Sequence, residues 1–171
     1  MHLYEAFLEM AADYRSAGEP RYQRPGAWTP ADFQLYLREL AERVRGVGVP
    51  AGGSPVITRW LVDGADRIAG VSRLRTVLTP ELENEGGNIG YDVPPSRRRQ
   101  GFGTELLRLT LVEARARGLD RVLVTCNTDN VASRRIIEGC GGMLASEGTS
   151  DEDGRPVLRF WIALPGGSGS A

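Results

Sequence analysis

The passage Pro95-Ser-Arg-Arg-Arg-Gln-Gly-Phe-Gly-Thr-Glu-Leu-Leu107 constrains this chain most, because Gly101 and Gly103 punctuate a turn between a strand pattern and a helix pattern. Upstream, Asn88-Ile-Gly-Tyr-Asp-Val93 reads as a strand, and Pro94-Pro95 ends it by removing two backbone donors. Downstream, Leu106, Leu107, Thr110, Leu111 and Ala114 recur at helical spacing until Gly118 supplies a stop. Residues without Cβ let the chain bend sharply and bring successive N–H groups toward an anion, to which the positive helix end adds its attraction. A plain strand-to-helix connection uses similar glycines, so the turn by itself leaves both readings open.

The turn lacks the Lys-Ser/Thr pair of a Walker phosphate site and the three glycines and later acid of a dinucleotide fingerprint. Arg98-x-x-Gly101-x-Gly103, preceded by Val93-x-Pro95, instead resembles the pyrophosphate-binding motif of the GNAT superfamily of N-acetyltransferases. A second segment, Arg121-Val-Leu-Val-Thr-Cys-Asn-Thr-Asp-Asn130-Val-Ala-Ser133, is similar in register to that superfamily's fifth strand and following helix. Gly86-Gly-Asn-Ile-Gly-Tyr91, Gly141-Gly142 and Arg159-Phe-Trp-Ile162 extend the resemblance to a bacterial subgroup of predicted acetyltransferases, tightly from about residue 56 to 163.

The order of elements supports a fold class independently. Helical patterns cover Leu3, Ala6, Phe7, Met10 and Tyr14, then about Pro30 to Arg45 with Thr29 as cap; between them Gly18 to Trp28 reads as a loop able to border a cleft. Strands Val56 to Val62 and Arg67 to Arg75 flank an Asp-Gly turn, an acidic connection Glu81 to Gly87 follows, and a strand-helix-strand-helix-hairpin run closes the chain. This predicts an α/β (α+β) fold, a mixed and mostly antiparallel sheet with helices on both faces. The resemblance adds a central pair of parallel strands, Asn88 to Val93 and Arg121 to Cys126, that splay apart around a cofactor.

A length of 171 residues predicts one domain over residues 1–165 with a flexible tail at 166–171. A net charge of -1 speaks against general nucleic-acid binding, and all 21 basic residues are Arg. No run is long enough to cross a bilayer, and two cysteines suit neither a disulfide framework nor a zinc site. The expectation is a cytoplasmic bacterial protein, monomer or homodimer, with no metal, no membrane and no nucleic-acid partner.

The resemblance implies an acetyl-CoA-dependent N-acetyltransferase acting on a primary amine of a small molecule or peptide by direct transfer; a non-catalytic acyl-CoA-binding or sensing module is the alternative. It places diphosphate oxygens on the backbone of Arg99, Gln100, Gly101, Phe102, Gly103 and Thr104, with Arg98 as the motif arginine. Tyr91 and Val93 would run beside the pantetheine, with Val93 near the oxyanion, and Asn130 would cap its helix and touch the same arm. The family's usual tyrosine acid falls at Ile137, leaving Ser133, four residues earlier on the same face, to hydrogen-bond the sulfur. The family's usual glutamate base falls at Gly87 or Asn88, so the nearby Glu83 and Glu85 are expected to reach the amine through water, with Glu85 the chosen base and Asn88 orienting that water. An exposed acidic loop is the competing reading of those glutamates. Cys126 suits a small buried hydrophobe better than an acyl carrier.

Overall fold

The computed structural model describes residues 2–151 and 153–164; the side chain of His2 and the expected tail lie outside the described residues. The chain begins with α1 (His2–Ser16) and α2 (Pro30–Val44). Thr29 caps α2 by accepting from the Asp32 N–H while the Asp32 carboxylate accepts from the Thr29 N–H, a reciprocal capping box. Hairpin β1 (Val56–Val62) and β2 (Ile68–Arg75) follows, then a short helix α3 (Pro80–Asn84) and β3 (Ile89–Asp92). Next come a 3-10 turn (Pro95–Arg97), α4 (Phe102–Ala116), β4 (Arg121–Asn127), α5 (Val131–Gly139) and hairpin β5 (Met143–Thr149) with β6 (Pro156–Ala163).

Helix α3 corrects the expectation of a plain acidic connection. Thr79 accepts from the Leu82 N–H, Pro80 opens the first turn and two glutamates sit at its positive end, which together stabilise even a single-turn helix.

The strands form two antiparallel sheets of three, ordered β1-β2-β3 and β4-β6-β5. Between β3 and β4 there is no ladder. Asn88 joins them: its N–H donates to the Leu123 carbonyl (2.7 Å), its Oδ1 accepts from the Leu123 N–H (2.8 Å), and its Nδ2 donates to the Arg75 carbonyl (3.0 Å). The Arg75 N–H completes the knot by donating to the Asn88 carbonyl at 2.8 Å. Gly87, at φ +59°, lets the chain turn into this knot, and a Cβ there would press on the Leu123 carbonyl. Beyond Asn88 both strands head toward one cleft, to which Tyr91 and Asn130 each contribute, so they run in the same direction and diverge.

Side chains alternate accordingly. Leu74, Ile89, Val122, Val124 and Phe160 pack with Leu107, Ala114 and Ile137 of α4 and α5 into one core. On the other face of the first sheet, Val71 and Ile68 pack with Phe7, Met10, Tyr14 and Phe33 of α1 and α2 into a second. Among the described residues, no helix is long and apolar enough to cross a membrane.

The knot makes a quantitative expectation. Asn88→Ala orphans the buried Leu123 N–H and Arg75 carbonyl, each costing about 1–3 kcal/mol, so urea unfolding should show a loss of about 2–5 kcal/mol. A loss well below 1 kcal/mol would show that the sheets are joined by other means.

Candidate active site

The diverging ends of β3 and β4 frame a cleft of about 810 Å³. Tyr91, Asp92 and Val93 form one wall, the turn from Arg97 to Thr104 forms an end, and Asn130, Ser133 and Ile136 of the α5 start form the opposite wall. Glu19 and Arg21, from the α1–α2 connection, reach its rim.

The turn sets the N-terminus of α4 at the end of the cleft. Gly101 is the N-cap of α4 at φ +85°, and the space where its Cβ would stand is open, so glycine is required there by backbone conformation. At Gly103 a Cβ would stand 2.7 Å from Ile136 Cδ1, so the end of that side chain would have to shift at the contact of α4 with α5. The first helical N–H groups of α4 have no partner within the helix; Glu105 is the first to pair, with the Gly101 carbonyl at 3.1 Å. Arg99 and Arg135 add positive charge around this end, while Arg97 pairs with Asp63 at 3.2 Å.

Arg98 does more than carry charge. Its Nε donates to the Val93 carbonyl (3.1 Å) and its guanidinium pairs with Glu19 at 2.7 Å, tying the turn both to β3 and to the α1–α2 connection. Gln100 donates to the Ser96 carbonyl (2.9 Å), and neither Gln100 nor Phe102 lines the cleft.

At the inner end, Asn130 caps α5 by accepting from the Ser133 N–H at 3.0 Å. The Ser133 hydroxyl lies 2.9 Å from the Tyr91 hydroxyl. Burial pushes the Tyr91 phenol up to about 12 and raises the Cys126 thiol as well, so both stay protonated at neutral pH. Ile137 is fully buried in the core below Ser133.

The structure does not bring Glu85 and Asn88 to this cleft. Glu85 accepts from the Ser150 hydroxyl (2.5 Å) at the β5–β6 turn, and Glu83 is exposed on α3. Asn88 is buried, outside the residues that line the cleft, with each end of its amide held by backbone.

A cluster missed in the sequence gathers around the side chain of Asp92, a residue that also lines the cleft. Asp92, nearly buried, accepts from the Tyr14 hydroxyl (2.6 Å) and the Tyr22 hydroxyl (3.0 Å), and pairs with Arg73 at 2.6 Å. Arg73 also donates to the Tyr22 oxygen (2.8 Å), and Arg21 stands 3.8 Å from the same carboxylate. Burial, then the Asp92 charge, raises both phenols, so they act only as donors to it. The available signal was an Arg and an Asp facing inward on what read as neighbouring apolar strands.

The fold is a layered α/β arrangement in which two three-stranded sheets diverge around a cleft that the α4 N-terminus closes at one end. The acetyltransferase (GNAT) domain family matches residues 3–143, and the chain belongs to that family of acyltransferase enzymes. No curated protein matches it by sequence. Among solved structures, it is similar to a protein assigned to the GNAT acetyltransferase family from Bordetella pertussis (17% identity, TM-score 0.63, covering 94% of this chain and 89% of that one). It is also similar to yncA from Salmonella typhimurium, assigned as an acetyltransferase and solved with its cofactor acetyl-CoA (15%, TM-score 0.58, 97% and 91%). A third is the ribosomal-protein-S18-alanine N-acetyltransferase of Escherichia coli (14%, TM-score 0.52, 85% and 97%). At these identities the likeness concerns the fold.

The Asp92 cluster carries its own expectation. Asp92→Asn leaves the Arg73 guanidinium half-enclosed without its counter-charge, and chemical denaturation should show a loss of about 3 kcal/mol. An unchanged midpoint would mean that Arg73 finds solvent at little cost.

Proposed function

We propose that this chain transfers an acetyl group from acetyl-CoA to a primary amine, on a small molecule or a peptide, directly within a ternary complex. The cleft carries the reading: it joins an α4 N-terminus ringed by arginines to a hydroxyl on α5, and a CoA molecule presents a diphosphate and a thioester in that same order. In this arrangement the N–H groups of Gly101 to Thr104 take the diphosphate, Tyr91 and Val93 border the pantetheine, and Ser133 faces the sulfur. That a fold relative is an alanine N-acetyltransferase supports an amine as acceptor.

The chain's own groups account for each step. Attack by the neutral amine forms the new C–N bond, and the C–S bond breaks with the electron pair leaving on sulfur. A CoA thiolate, with a thiol pKa near about 8.5, needs only a hydrogen bond from Ser133 to depart. Because burial keeps the Cys126 thiol protonated, it makes a poor nucleophile, which favours direct transfer over an acetyl-cysteine intermediate. With Glu85 held by Ser150 and Asn88 held by backbone, the ammonium proton passes to solvent. The rate should therefore rise with pH as more acceptor arrives neutral, and Glu85→Gln should leave it within about twofold.

The test is thiol release from acetyl-CoA across a panel of amines, including spermidine and an alanine-terminated peptide, with Gly101→Asp as the control. The variant adds a like charge beside the diphosphate and strains φ, and calorimetry should show CoA binding weakened by about 2–3 kcal/mol or more. Unchanged CoA affinity with an intact circular dichroism spectrum would overturn the cofactor site.

A further inference from the structure

We infer that Tyr91 is a positioning residue that aims the Ser133 proton at the thioester sulfur. The inference rests on the proposed acetyl-CoA site and adds to it a function for a side chain that no motif assigns.

The geometry leaves Tyr91 and Ser133 few alternatives. The phenol reaches across the splay from β3 to the first turn of α5, where its oxygen lies 2.9 Å from Ser133 Oγ and 3.4 Å from the Ser133 carbonyl. Burial keeps the phenol protonated, and the 2.9 Å contact allows either hydroxyl to donate. In the inferred arrangement Tyr91 donates to Ser133 Oγ, which frees the serine proton to turn toward sulfur. The serine has one hydroxyl proton and two lone pairs. With one lone pair filled by Tyr91, and the backbone beneath it fixed by the Asn130 cap, rotation about Cβ–Oγ is restricted. The Cys126 sulfur competes only weakly for the serine proton, because a neutral thiol is a poor acceptor. A departing CoA thiolate is a far better one, since a hydrogen bond to an ionised acceptor is roughly twice as strong as a neutral pair. The phenol also polarises the serine O–H through its own donation, a cooperative gain along the chain Tyr91–Ser133–sulfur.

Position 137 makes the placement meaningful. The family position for a tyrosine acid holds Ile137, which is fully buried and cannot donate. Here a phenol arrives instead from the facing strand and acts through the serine. No proton leaves Tyr91 in this scheme: it donates a hydrogen bond throughout, and the thiolate is stabilised by the serine O–H until solvent protonates it.

The experiment measures the acidity of the CoA thiol when CoA itself is bound, by ultraviolet thiolate absorbance against pH, in the wild type, Tyr91→Phe, Ser133→Ala and the double variant. It needs no acceptor. In the wild type the bound thiol should be more acidic than free CoA. Ser133→Ala should lower its acid dissociation constant about tenfold and Tyr91→Phe about fivefold, with melting temperatures near wild type. The double variant should match Ser133→Ala, because Tyr91 has nothing to act through once the hydroxyl is gone. Wild-type acidity in Tyr91→Phe beside a clear Ser133→Ala effect would overturn the inference while leaving the serine in place. Additive effects would overturn it too, by showing that Tyr91 acts on sulfur independently. No effect of Ser133→Ala, or no CoA binding at all, would instead remove the site on which the inference rests.

Discussion

Four hydrogen bonds at Asn88 hold this architecture together. Two antiparallel sheets, each complete in its own ladders, meet at Asn88, whose backbone and amide engage both Arg75 and Leu123, and the neighbouring Gly86 N–H adds a bond to Thr125 Oγ1 at 3.0 Å. A continuous ladder between β3 and β4 would close the space between them. A single knot at their lower ends fixes the distance there and lets right-handed strand twist carry the upper ends apart. The cleft is the consequence, and every group that faces it inherits its position from that divergence. A buried amide left without partners is costly, and at Asn88 both the amide nitrogen and the amide oxygen have one.

Around the cleft, three separate ties set the walls. Arg98 fastens the anion turn to the end of β3 and to Glu19, Asp92 fastens β3 to α1 and the α1–α2 connection through Tyr14 and Tyr22, and Tyr91 fastens β3 to α5. Tyr22 adopts a positive φ of 57° to reach Asp92 and Arg73, a conformation that a bulky residue keeps only when its surroundings hold it. The elements that flank the turn are thus coupled to the loop beside the cleft, and a ligand drawing on Arg98 would weaken the hold on Glu19.

The turn around Gly101 and Gly103, both hairpins and the two N-terminal helices were legible because each depends on local chemistry: positive φ, turn dipeptides, capping residues and apolar spacing. Helix α3 was not read from the sequence, because the acidic composition masked its Thr79-Pro80 start. The functions of Asn88, Asp92 and Glu85 were not legible either, since each is set by a partner 13 to 78 residues away in sequence. Asn88 reads as a polar residue at a strand start, and only the third dimension brings Leu123 to its amide. Glu85 looks like a base by proximity to β3, yet the chain reverses at Gly86 and Gly87 and turns its carboxylate toward Ser150. Tyr91 was placed correctly on the cleft by its strand, while the direction of its phenol depended on how far β3 and α5 stand apart.

The central claim is that the cleft between β3 and β4 receives CoA, with its diphosphate at the α4 N-terminus. Residue-resolved amide hydrogen exchange with and without CoA tests it most directly, because the binding groups are N–H groups themselves. The account predicts strong added protection at Gly101 to Thr104, with further protection at Val93 and Ser133 and little change in β5. Protection absent from the turn, or confined to another surface at saturating CoA, would contradict it.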